Sequence, residues 1–152
     1  MDPSRLTKVV RELFSSQRLA VLSTQSEKEP YGNLVAFTVS EDLKNLFFVT
    51  ARKTRKFTNI MANPRVSLVM DNRSNRPSDF QDTVVVTALG RAEEMKDNEK
   101  GRMLEYFLFR HPELRAFATS LDCALIEVRV EKYIIVSHFQ EVAELQIGRA
   151  HV

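Results

Sequence analysis

Between Cys123 and Val130 the chain alternates: Ala124, Ile126, Val128 and Val130 are apolar, while Glu127 and Arg129 between them are charged. A period of two sends successive side chains to opposite faces, so this segment predicts an antiparallel strand with one face buried and the other wet. Such a strand needs paired neighbours, and runs of the same β-rich type recur at short intervals. They cover 18–24 (RLAVLST), 31–40 (YGNLVAFTVS), 46–50, 65–70 (RVSLVM), 83–94 (TVVVTALGRAEE) and 133–139 (YIIVSHF). Polar clusters at 25–30 and 41–45 supply turns between the first three, which read as a meander. Gly90, inside the run 83–94, marks a bend or bulge. About seven closely spaced strands predict a mainly β fold, an antiparallel barrel that is closed or split, with helices covering its ends.

The helical signals are few and local. Asp2-Pro3-Ser4 followed by Leu6, Val9, Val10, Leu13 and Phe14 gives a cap and an i, i+3, i+4 stripe, so 1–16 predicts an amphipathic helix lying on the core. Lys56 to Ala62 carries Phe57, Ile60 and Met61 at helical spacing and stops at Asn63-Pro64. Lys96 to His111 places Met103, Leu104, Phe107 and Leu108 on one face and stops at Pro112. The polar stretch 71–82 reads as a surface loop whose Arg73 and Arg76 fit either solvated side chains or ligand contacts, and 141–152 reads as a tail. All 152 residues form a single domain in this scheme.

Composition removes several functional classes. A net charge of +2 describes a mildly basic chain and implies no general affinity for nucleic acid or membrane. Cys123 is the one cysteine, expected as a small core residue, which excludes an internal disulfide and multi-cysteine metal sites. Four glycines leave no Gly-rich nucleotide loop. No run approaches the ~20 apolar residues that cross a bilayer, and Met1 to Phe14 is too charged for a secretory segment, so the expected location is cytoplasmic.

The stretch 48–64 (FVTARKTRKFTNIMANP) concentrates the chemistry. Arg52, Lys53, Arg55 and Lys56 surround Thr54, which falls at a helix N-cap. The helix dipole disfavours cations in a first turn, and a bound phosphate at the free N–H groups relieves that mismatch. A solvated basic turn fits the same residues. Elsewhere, His138 stands without a paired Cys or acid, Glu93 and Glu94 point to opposite faces of a strand, and the serines lack a nucleophile-elbow context.

The order of these strands, with Val49-Thr50 followed by Thr54-Arg55-Lys56 and then the strand opening Asn63-Pro64-Arg65-Val66, resembles the pyridoxamine 5'-phosphate oxidase-like FMN-binding split-barrel family. The resemblance implies an antiparallel split β-barrel and a homodimer with FMN at the subunit interface. It also implies an FMN-dependent oxidoreductase whose phosphate is held by Thr54, Arg55 and Lys56, with Val49 and Thr50 at the strand end and Asn33, Leu34, Val35 and Ala36 beside the ring. Asn33 stands where the oxidases carry an arginine, and Thr38 stands near their substrate-binding lysine. Similar barrels take haem or a deazaflavin instead, and a basic-loop nucleic-acid module is the remaining alternative for the cluster 52–56. In a flavin site the apolar residues wall the ring, and hydride chemistry belongs to the cofactor. Arg52 and Lys53, outside the triplet, fall to the surface or to the partner subunit.

Overall fold

The computed structural model describes residues 2–96, 98–138 and 140–147. Helix α1 (Pro3–Ser16) opens the chain, capped by Asp2, whose carboxylate accepts the Arg5 N–H at 2.9 Å. Its stripe is the expected one: Leu6, Val10, Leu13 and Phe14 are buried. Strands β1 (Leu19–Ser26) and β2 (Glu29–Ala36) form a hairpin, followed by a two-residue β3 (Thr38–Val39) and by β4 (Asn45–Ala51). Helix α2 (Arg55–Ala62) leads into β5 (Arg65–Asp71). A one-turn helix α3 (Asp79–Asp82) precedes β6 (Val85–Glu94), and α4 (Asn98–Arg110) follows it. A 3-10 turn (Pro112–Leu114) and α5 (Arg115–Ala118) then deliver the chain to β7 (Cys123–Ser137) and β8 (Glu141–Gln146).

The strands make one antiparallel sheet in the order β2-β1-β5-β6-β7-β4-β3, with β8 also on β7. It curls into a half-barrel around a core that includes Leu22, Phe37, Phe48, Leu68, Val86, Ile126 and Tyr133. The anticipated antiparallel barrel with helices at its ends is therefore present. Its connectivity differs from a simple meander. β4 does not lie beside β2; it crosses to β7, pairing Asn45 with Arg129 through Ala51 with Cys123. The chain turns inward at Phe37, fully buried, which ends β2 and starts the crossing.

Two other expectations change. The segments 123–130 and 133–139 are one long strand through Ser137, bent rather than broken at Glu131-Lys132. There β6 shifts register between Leu89 and Gly90, so the glycine does mark a bulge. The expected tail is structured over Glu141–Gln146, where β8 pairs with β7 and buries Leu145. β7 thus has β4 along its first half and β8 along its second, and the two part at Val130, whose N–H donates to the Lys44 carbonyl, and Glu131, whose carbonyl accepts from Ile147. Among the described residues no helix is long and apolar enough to cross a membrane.

A second, smaller cluster covers the outer side of β4 and the start of β7: Phe47, Val49, Cys123 and Leu125 meet Phe107 and Leu108 of α4 and Ala118 of α5. Cys123 is buried there as expected, and desolvation pushes its thiol pKa up.

Candidate functional site

Thr54 is the N-cap of α2, as its position in the sequence predicts. Its backbone is extended (φ −124°, ψ 157°), and its hydroxyl oxygen accepts the Phe57 N–H at 3.3 Å. The same hydroxyl donates to the Ala51 carbonyl at 2.9 Å, leaving the Thr50 hydroxyl, 3.1 Å away, to donate to it. Thr50 and Thr54 therefore lock the end of β4 to the start of α2. Arg55 and Lys56 occupy the first turn, which holds no acidic residue. Among the described residues neither forms an ion pair. Two uncompensated cations at the positive end of a helix are an electrostatic cost that an anion would remove. Lys56 is half-buried, and desolvation lowers its ammonium pKa.

Two contacts that sequence reasoning did not find fix this helix against the sheet. The Asn59 amide donates to the Thr24 hydroxyl at 3.0 Å, a buried polar pair joining α2 to β1. The Arg55 guanidinium lies 5.0 Å over the ring of Tyr31 on β2. Neither has a local signal, because each joins elements whose pairing depends on how the sheet curls.

The structure divides the β2 candidates between two faces. Tyr31, Asn33 and Val35 alternate toward the interior, while Leu34 and Ala36 face outward. Val35, at 5% exposure, packs its side chain in the core. Val49 is likewise packed in the smaller cluster, with Ala36 against it. Leu34 is 63% exposed. β2 ends the sheet order, so one edge of its backbone has no strand partner among the described residues. Asn33 keeps a buried side-chain oxygen that has no hydrogen-bond partner. An orphaned acceptor of that kind costs about 1–3 kcal/mol unless something donates to it.

Other polar residues are already engaged. Arg52 is held within the chain, bonding Glu94 at 2.5 Å and the Leu121 carbonyl at 2.8 Å, so it is not a free surface group. Arg73 pairs with Asp71 at 2.8 Å. The stretch 71–82 is tied down by Asp79, whose carboxylate accepts N–H groups of Ser74, Asn75 and Arg76 and sits at a pKa of about 2. His111 is buried against Phe107, and its Nε2–H donates to the Phe37 carbonyl at 2.8 Å, so it is structural. His138 is exposed in the turn before β8, with a left-handed backbone (φ 46°). His151 lies outside the described residues. Glu127, opposite Glu93, has a carboxyl pKa raised by burial and accepts the Asn45 amide at 3.0 Å. No group of three metal-ligating side chains occurs among the described residues.

An antiparallel sheet curled into a half-open barrel with peripheral helices is the fold of the split-barrel class of proteins. Within that class the sequence is specific: residues 6–137 match the family model described as pyridoxamine 5'-phosphate oxidase, and the chain belongs to that family. Solved structures agree in fold. A haem-binding protein from Mycobacterium smegmatis superposes with a TM-score of 0.79 at 17% identity, over 90% of this chain and 55% of its own. HutZ, a haem storage protein from Vibrio cholerae, gives 0.72 at 17% identity over 91% and 93% of the two chains. A FAD-binding protein from Mesorhizobium loti gives 0.66 at 17% identity over 90% and 93%. This chain spans just over half of the mycobacterial protein. No curated protein matches it by sequence.

Proposed function

We propose that the chain is an FMN-binding flavoprotein that passes electrons or hydride between a reduced donor and an acceptor. The observation that carries this is the start of α2: Thr54 caps it, and Arg55 and Lys56 stand in its first turn with no carboxylate partner among the described residues. A phosphate of about two negative charges suits that set through charge-assisted hydrogen bonds. Asn33 to Ala36, on the free edge of β2, offer backbone N–H and C=O groups for the polar rim of a flavin, and the unpartnered Asn33 oxygen fits a ring or ribityl donor. When bound, the flavin supplies the redox chemistry, and the protein orients it and tunes its potential. Thr38, near the position of the oxidases' substrate lysine, is buried on β3, so vitamin B6 oxidation forms no part of the proposal.

The working unit in this proposal is a homodimer with FMN at the interface. Its support is the outer face of the sheet, where the register aligns Leu34, Val21, Val69, Thr87 and Ile134, with Val85, Val136 and Val142 in the adjacent row. Leu34 and Val142 are each 63% exposed. Exposed apolar side chains grouped on one sheet face suit a subunit contact.

The test is the visible spectrum of the protein as purified, followed by thermal unfolding with FMN, haem, a deazaflavin cofactor or an oligonucleotide. A ligand at 100 times its Kd stabilises by about 2.7 kcal/mol, which moves the Tm of a chain this size by roughly 5–11 °C. FMN alone is expected to produce that shift. A shift with haem, deazaflavin or the oligonucleotide and none with FMN overturns the proposal.

A further inference from the structure

The Arg55 side chain is exposed, yet it is not free to wander, because its guanidinium rests on the Tyr31 ring at 5.0 Å. The framework beneath that contact is rigid. Tyr31 is the register partner of Thr24 in the β1–β2 hairpin, and Thr24 is the residue that accepts the buried Asn59 amide of α2 at 3.0 Å. The strand pair therefore fixes the aromatic ring, and through Asn59 it fixes the helix that presents Arg55. A guanidinium held over an aromatic face engages the ring through its π face while its N–H donors point outward in the guanidinium's own plane, so the contact leaves donors usable. A lysine lacks that geometry, and neighbouring Lys56 has no such contact.

We infer that Tyr31 is a positioning residue that sharpens the site's preference for phosphorylated over unphosphorylated flavin, by holding the Arg55 fork at the start of α2 before ligand arrives. This rests on the FMN proposal above. Preorganisation acts by reducing the ordering cost of one of the side chains that engage the phosphate. It leaves contacts to the isoalloxazine ring untouched.

The test is equilibrium titration of FMN and riboflavin into wild type, Tyr31→Phe, Tyr31→Leu, Arg55→Ala and the double variant Tyr31→Leu/Arg55→Ala, with circular dichroism checking that each folds. A cation–π contact at an exposed site corresponds to about a two- to fivefold change in affinity. Tyr31→Leu is expected to weaken FMN binding by about that factor and to leave riboflavin unchanged. Tyr31→Phe, which keeps the ring, is expected to match wild type, and Tyr31→Leu is expected to have no further effect once Arg55 is gone. Equal loss of FMN and riboflavin would show that Tyr31 touches the ring system itself and would overturn the inference. So would Tyr31→Leu with unchanged FMN affinity, while the FMN proposal would survive. Wild-type protein that binds neither flavin removes both.

Discussion

Gly90 is the position where the sheet tolerates least. It lies at the register shift between β6 and β7, with Val66 of β5 on its other side. A methyl group on its α-carbon would stand 2.3 Å from the Arg129 carbonyl oxygen and 3.0 Å from both the carbonyl carbon and a Val128 methyl. Ordinary contact begins near 3.4 Å, so the β7 backbone must retreat by about 1 Å. Main chain cannot rotate out of the way as a side chain does, and β7 at this point also holds Lys44 and Ile147 by hydrogen bonds. Overpacking costs about 1–3 kcal/mol even where side chains absorb it, so Gly90→Ala is expected to cost roughly 3 kcal/mol. At 2–4 °C per kcal/mol for about 150 residues, the Tm falls by roughly 6–12 °C. Gly101 is the control: it lies inside α4 with nothing within 4 Å of the added methyl. Gly101→Ala is expected to raise the Tm by about 1–4 °C, because alanine restores about 0.5–1 kcal/mol of helix preference. Calorimetric unfolding of both variants checks this. A Gly90→Ala protein melting within about 2 °C of wild type would refute the account of the bulge.

Three other changes have definite outcomes. Tyr133→Phe strips the Leu43 carbonyl of a buried 2.7 Å bond, at a residue held with φ 65°, and is expected to destabilise by about 1–3 kcal/mol in urea unfolding. Arg52→Ala loses Glu94 and the Leu121 carbonyl and is expected to lower stability by about 1 kcal/mol while changing FMN affinity less than about threefold, measured by fluorescence titration. The folded-state pKa of Asp79 is depressed to about 2 from an ordinary 3.8 by the N–H groups of Ser74, Asn75 and Arg76 and the Ser74 hydroxyl. Its support for the segment 74–79 is therefore complete above about pH 4 and lost as pH falls through about 2. A carboxyl chemical-shift titration with a midpoint near 3.8 would contradict that.

Much of the fold was readable because it rests on local patterns. The α1 stripe, the alternation over 123–130, the Gly90 bulge and the Thr54 cap each follow from a few adjacent residues. β8 was missed because Glu141–Gln146 buries only Leu145 fully, so its alternation is too weak to outweigh a polar composition. The crossing of β4 to β7 was missed because short turns suggest neighbours, while the inward turn at fully buried Phe37 is a tertiary event. The candidate site divides in the same way. Thr54, Arg55 and Lys56 announce a helix start, whereas Tyr31 and Asn59 become relevant only when the hairpin and α2 meet. Val35 packs in the barrel core and Val49 in the cluster beneath α4 and α5, placements that depend on tertiary packing and have no local signal.

The central claim is that the start of α2 holds the phosphate of FMN, and titration of FMN into Arg55→Ala/Lys56→Ala beside wild type measures it most directly. Each hydrogen bond to a charged group contributes about 1.5–3 kcal/mol, so the double variant is expected to bind FMN roughly a hundredfold more weakly or worse. Its affinity for riboflavin, which has no phosphate, is expected to stay at the wild-type value. FMN bound by the double variant as tightly as by wild type would place the phosphate elsewhere and contradict the account.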